Sequence, residues 1–524
     1  MKNKFFLLIF IFNFSCSSVK FTNDYLTADS KKLDLNFNLD NKKNWQNLDL
    51  EIDSVPGMSV DRAYNELLKG LNPNKVIVAV IDSGIDIYHE DLNGLIWKNE
   101  DEIPDNNIDD DNNGYIDDLN GWNFLEDSYN ETLEMTRLVR DAKTDHPQYS
   151  LAKKKVEEKL KEAKDDLKFY SPILENFKIA NEVVKKYLKK DSYSIDDVKN
   201  IKSQDELVKM SKEFIIYSDS FDINLERAES LVEQYSDFVN YYYNIEFNGR
   251  NDVGDDIYDL TDQDYGNSNV RHSKKSESHG THVAGIIGAN RNNNLGMKGV
   301  NDNIEIMPIR AVPNGDEYDK DISLAIRYAV DNGARIINMS FGKSFSSNPE
   351  WVYDAIKYAK KNNVLIVHAA GNDNKDLDNG DDKNFPNDHK YSDEFTNNYI
   401  SVGASTINYN EDLVAYFSNY GQNNVDIYAP GYEIFSLTPE DEYDFKNGTS
   451  MAAPAVSGVA SLILSYFPKT SAKKLKKIIL KSGIEFNFNV KHDNKDVSFD
   501  KLSKTGKIIN AYNSLILASG KKLK

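Results

Sequence analysis

The chain alternates between two kinds of hydrophobic patterning. In the first, short apolar runs end at small or polar residues. They are KVIVAVIDSG (75–84), IEIMPIRAV (304–312), ARIINMSFG (334–342), NVLIVHAAGN (363–372), YISVGAS (399–405) and VDIYAPG (425–431). Such runs are apolar on both faces of an extended chain, as a strand inside a parallel sheet must be. Between several of them lie stretches with helical spacing, DISLAIRYAVDNG (321–333) and EWVYDAIKYAKKNN (350–363). PGMSVDRAYNELLKG (56–70) has the same spacing and closes at Gly70, a residue suited to a helix C-terminus. Strand, helix and strand in this rhythm predict an α/β body whose mostly parallel sheet is covered by helices.

The second kind of patterning occupies residues 128–245. Val156, Leu160, Ala163, Leu167, Tyr170, Leu174 and Phe177 recur in alternating steps of four and three, a coiled-coil-like seam with a break expected at Pro172. Leu225, Ala228, Leu231, Tyr235, Phe238 and Tyr242 form a later helical series. The two series predict a helical hairpin or small bundle inserted into a body formed by residues 56–127 and 246–520. The insertion is expected to gate a cleft or to dock a partner.

The N-terminus reads MKNKFFLLIFIFNFSCSSVK, with Lys2 and Lys4 ahead of an apolar run from Phe5 to Phe12. That run is too short to span a bilayer and predicts a signal peptide over residues 1–16. Cys16, directly after it, resembles the lipidation site of bacterial lipoproteins, with Ser15 in the small position and Asn13 where leucine is usual. The expectation is export from a bacterial cytoplasm and a lipid anchor at Cys16 that ties the protein to a membrane. Residues 17–55 are polar and are expected to form a tether. Cys16 is the sole cysteine, so no intrachain disulfide is available.

Composition narrows the partners. The 524 residues are 40% hydrophobic and 28% charged, which is globular composition. A net charge of -21 argues against nucleic acid or an anionic membrane surface as the main partner. Part of the acidic excess sits in DNNIDDDNNGYIDDLNGWNF (105–124). Asp109, Asp111, Asn113, the Tyr115 carbonyl and Asp117 have the spacing by which an EF-hand-type loop wraps calcium. Asn120 stands where such a loop has its closing glutamate. A structural calcium ion is the expected cofactor, with no organic cofactor.

Three segments that end strands or open helices carry the candidate chemistry: VIDSGID with Asp82, SHGTHVAG with His279 and GTSMAAP with Ser450. They run in the order Asp, His, Ser, and INMSFG, HAAGN, SVGAS, YFSNYG, VDIYAPG and GKIINAYNSL accompany them in order. On these residues the chain resembles the subtilases, the subtilisin-like serine proteases. The resemblance implies a subtilisin-like three-layer α/β fold and a serine endopeptidase acting on proteins or peptides. It implies that Ser450 is the nucleophile, that His279 takes its proton and that Asp82 orients the imidazole. It also implies an oxyanion hole from the Asn372 side chain and the Ser450 N–H. Ser340, Phe341 and Gly342 would pair with substrate as an added strand. The loop VPNGDEYDK, with Asp316, Glu317 and Asp319, is expected to edge the cleft and to favour basic or neutral side chains. The alternative is a catalytically silent binding or adhesion protein on the same fold. That reading expects a lost triad or oxyanion residue, and none is lost.

Overall fold

The computed structural model describes residues 19–21, 24–27, 42–380, 383–390, 393–492 and 495–521. The expected signal peptide and Cys16 lie outside these residues.

Nine strands form the central sheet. In chain order they are β1 (Val76–Asp82), β2 (Trp122–Asn123), β3 (Ile304–Arg310), β4 (Ile336–Met339), β5 (Leu365–Ala369), β6 (Tyr399–Ser405), β7 (Ile427–Pro430), β8 (Ile484–Glu485) and β9 (Lys507–Ile508). Their spatial order is β8-β9-β7-β6-β5-β4-β1-β3-β2. Every pairing is parallel except β8 with β9 at the edge. The apolar runs became these strands because both faces are covered. One face packs Val78, Val80, Ile336 and Val367 under the helix Thr449–Tyr466 and its neighbours. The other packs Ala79, Ile81, Ile309 and Ile337 under the helices Asp319–Asp331 and Pro349–Lys361.

The segment between β2 and His279 holds the helical elements of the insertion. The ones used below are α1 (Glu134–Arg140), α2 (Tyr149–Leu188), α3 (Glu206–Asp219) and α4 (Leu225–Asp237). Helix α2 runs unbroken through Pro172, contrary to the break expected there. Proline removes one backbone donor, and Leu174, Phe177, Ala180 and Val184 beyond it are buried in a core shared with α3 and α4. A second cluster, Met135, Leu138, Ala152 and Val156, packs on Phe345 of the body. At this base the Leu133 N–H donates to the Tyr242 carbonyl at 3.1 Å.

Residues 42–55 correct part of the tether expectation. Trp45 is fully buried and its Nε1 donates to the Glu433 carbonyl at 3.1 Å. Asp49 caps the short helix Leu50–Asp53 by accepting from the Glu51 and Ile52 N–H groups. One large aromatic ring anchors a stretch whose average polarity suggested a solvated linker.

Candidate active site

The C-terminal ends of the central strands converge on one cleft, the usual binding edge of an open parallel sheet. Asp82 ends β1, in register with Arg310 at the end of β3. It is almost wholly buried, and its Oδ1 lies 2.7 Å from His279 Nδ1 and accepts from the Ser83 N–H at 2.8 Å. His279 opens helix α5 (His279–Gly288) and is 39% exposed, so its ring is held on one side and open on the other. The following residue must be glycine, because a Cβ at Gly280 would sit 2.6 Å from the Ser83 carbonyl oxygen.

Two residues not singled out in the sequence brace this corner. Glu277 Oε1 accepts from the Gly84 N–H at 2.9 Å and from Arg310 Nε at 3.1 Å. The buried Arg310 guanidinium also donates to Asn123 Oδ1, to the Glu126 and Ser128 carbonyls and to Ser273 Oγ. A fully used guanidinium thereby ties β2, β3 and the approach to His279 to the end of β1.

Ser450 is the second residue of helix α6 (Thr449–Tyr466). Gly448, at φ +153°, turns the chain into it through a conformation suited to glycine. The Thr449 N–H and Oγ1 both donate to Asn372 Oδ1, at 2.8 and 3.0 Å. Thr449 Oγ1 accepts in turn from the Gly371 N–H at 3.0 Å. With Oδ1 occupied, Nδ2 is the donor that Asn372 has left to offer. The Ser450 N–H lies in the first turn of the helix, where backbone donors lack an intrahelical acceptor.

The Ser450 hydroxyl donates to the Ser340 carbonyl at 2.9 Å, and Ser340 Oγ donates to the Ser450 carbonyl at 2.9 Å. Ser450 therefore rests on Ser340 and not on His279, although both face one cavity of about 510 Å³ with Asp82 and Asn372. Of the expected substrate-pairing residues, Ser340, Phe341 and Gly342 all line that cavity. The Phe341 carbonyl is already engaged by His368 Nε2 at 2.7 Å.

The acidic loop behaves differently from its charge count. Asp316 caps the Glu134 N–H at 2.8 Å, and Asp319 pairs with Lys343 at 2.9 Å. Glu317 alone of the three lines the cavity, with Oε1 buried and unpartnered. Burial pushes its carboxyl well above the usual carboxylate range, which disfavours a negative charge on this wall. His282 is structural: burial drives it down to about 3, and its Nε2 lies 3.1 Å from the Asp444 carbonyl.

The expected calcium residues lie between β1 and β2. Asp109 accepts from the Asn113 and Gly114 N–H groups at 3.0 and 2.9 Å. Asp111 accepts from the Asn113 N–H and the Asn99 amide at 2.9 and 3.0 Å. Asn113 Oδ1 accepts from the Tyr115 N–H, and the Tyr115 ring packs edge-on against Trp122. Asp117 turns elsewhere and caps the Asn106 and Asn107 N–H groups at 3.1 and 2.9 Å.

Comparison with known proteins bears on the whole arrangement. The model of the subtilase family matches residues 73–503. The chain is 38% identical over 210 residues to a thermophilic serine proteinase of Bacillus sp. (strain AK1), covering 40% of this chain and 46% of that one. It is 34% identical over 213 residues to a cell wall-associated protease of Bacillus subtilis (strain 168), covering 40% of this chain and 22% of that one. The match thus spans less than half the length of either relative. Among solved structures, a protease from Pseudoalteromonas arctica aligns at TM-score 0.39 and 28% identity, over 48% of this chain and 78% of its own. The family match covers eight of the nine central strands, the insertion and all three segments that meet at the cleft, and the chain belongs to the subtilase family.

Proposed function

We propose that the protein is a subtilisin-like serine endopeptidase that cuts protein or peptide substrates through Asp82, His279 and Ser450. The observation that carries this reading is the 2.7 Å contact between Asp82 and His279 Nδ1, which leaves Nε2 on the cavity shared with Ser450. On substrate entry the Ser450 hydroxyl leaves the Ser340 carbonyl and turns to His279. Its oxygen attacks the scissile carbonyl carbon as His279 Nε2 takes the proton. Asn372 Nδ2 and the Ser450 N–H receive the charge that develops on the carbonyl oxygen. The C–N bond breaks, the proton passes from His279 to the leaving amine, and an ester to Ser450 remains. Water then attacks that ester with His279 again as base, and the proton returns to Ser450 as the acid product leaves.

The test is labelling by a fluorophosphonate probe together with hydrolysis of an unstructured protein. Wild type should label and cleave, and Ser450→Ala should do neither. A folded wild type that does not label, or a Ser450→Ala chain that still does, would sink the reading. The first result would favour a silent binding protein on this fold.

A further inference from the structure

We propose that Lys343 and Arg137 close the cleft after about three substrate residues on the acyl side of the cut, so that upstream recognition is short. The inference rests on the protease reading above and names what limits its cleft. Two rims leave the catalytic corner together. One begins at Ser340, whose carbonyl holds the Ser450 hydroxyl at 2.9 Å. The other begins at Val312, whose N–H donates to the Asp82 carbonyl at 3.2 Å.

Along each rim alternate residues turn their backbone groups away from the cleft. The Phe341 carbonyl lies 2.7 Å from His368 Nε2, and Lys343 exchanges backbone hydrogen bonds with Phe385 at 3.0 and 2.8 Å. On the second rim Asn314 donates to the Tyr129 carbonyl at 2.7 Å and accepts from the Glu131 N–H at 2.9 Å. The Asp316 N–H reaches the Thr132 carbonyl at 3.4 Å, so insertion residues 129–132 run along the outside of this rim. Gly342 and Gly315 come between these outward residues, and both line the cavity. Among the described residues no partner engages the N–H or C=O of either glycine. Two such edges of free backbone groups accept one extended chain between them.

That lane has an end. Glu317 is the next inward residue after Gly315, and its carbonyl accepts from Lys343 Nζ at 2.8 Å and from Arg137 Nη2 at 2.9 Å. A lysine of one rim is thus bonded to the backbone of the other, across the path of the chain. Lys343 Nζ also meets Asp319 at 2.9 Å and Glu134 at 3.2 Å. Lys343, Arg137 and Glu134 are only 4, 2 and 3% exposed, so the bridge is dry and breaking it is costly. The cavity is lined as far as Gly342 and Glu317, and by neither Lys343 nor Arg137. An extended chain advances about 3.3 Å per residue, so the stretch from Ser340 to Gly342 pairs with about three substrate residues and the fourth meets the bridge. The leaving amine must stay beside His279, which hands it the proton, so the chain in the lane is the acyl half. Glu134 and Arg137 come from α1, and the insertion thereby sets how much substrate is read.

The experiment uses the full wild-type chain and N-acetylated fluorogenic peptide amides of increasing length, with the residue at the cut held constant. kcat/KM should rise through the third residue and then stay within about twofold as the peptide lengthens. A gain of about tenfold or more from the fourth or fifth residue would overturn the closure. Lys343→Ala removes the bridge, while Glu134 keeps Arg137, and Asp319 keeps the Ser346 hydroxyl and the Asn348 N–H. Shown to be folded by circular dichroism, this variant should gain about fivefold or more from the fourth residue, and an unchanged series would overturn the role of Lys343. If it does not fold, the wild-type series decides alone. Fluorophosphonate labelling tells the two levels apart. A chain that labels and cuts proteins but turns over no short peptide overturns the lane. A chain that does not label overturns the protease reading, and the lane with it.

Discussion

Asn372 carries an amide whose two ends differ in chemistry but hardly in shape, so something must decide which end faces the cleft. Thr449 does so by placing two donors on Oδ1. Asn372→Ala should lower kcat about 100- to 1000-fold with little change in KM. Thr449→Val should also lower kcat rather than raise KM, and Thr449→Ser should recover most of it. A Thr449→Val chain with unchanged kcat would show that the amide orients itself. The oxyanion role proposed for Asn372 is legible through the order of motifs, but the bracing of its amide by Thr449 is not, because the two are 77 residues apart in sequence. Two buried histidines set a pH dependence at the same scale. Burial drives His282 down to about 3 and His368 to about 4. In the unfolded chain histidine binds its proton near its ordinary value of about 6.5. The unfolded state therefore holds more protons below that pH, and stability falls as pH drops from about 6.5 toward 4. The loss should be on the order of 3 kcal/mol for each histidine by pH 4, read as a falling urea midpoint. A midpoint that holds steady over that range would contradict their neutral burial.

Among the elements, the strands were the most legible because burial on both faces writes an unbroken apolar run. Helix α3 was not foreseen. Its inward positions are Val208, Ser211, Ile215 and Ser218, while Leu207, Met210 and Tyr217 are exposed, so serine packing blurs the apolar stripe. The insertion is also more than an appendage. Arg137 in α1 is buried, pairs with Glu134, and donates to the Asp316 and Glu317 carbonyls at 2.8 and 2.9 Å. Lys343, next to the Ser340, Phe341 and Gly342 segment that lines the cavity, meets both Glu134 and the Glu317 carbonyl. Arg137→Ala leaves Glu134 with Lys343 as its remaining cation and removes a donor from the Asp316 and Glu317 carbonyls in a dry site. It should cost about 3–5 kcal/mol in denaturant unfolding. Peptide hydrolysis should show a raised KM as the cleft wall loosens, and an unchanged KM would separate the insertion from the cleft.

At the scale of the molecule, the order Asp82, His279, Ser450 revealed the site, while its bracing stayed hidden. Arg310 reads in sequence as one more residue at a strand end, and Glu277 as one more surface charge. Their roles exist only once β1, β2 and β3 lie side by side. Distance along the chain has a further consequence. Bringing Asp82 and His279 together in an unfolded polymer means closing a loop of 197 residues. The insertion has its own core, and its ends already meet where the Leu133 N–H reaches the Tyr242 carbonyl. Once it folds as a unit, more than half of that loop is short-circuited. Each halving of loop length is worth only about 0.6 kcal/mol of closure entropy. Lengthening the helical segment is thus nearly free for bringing Asp82 to His279.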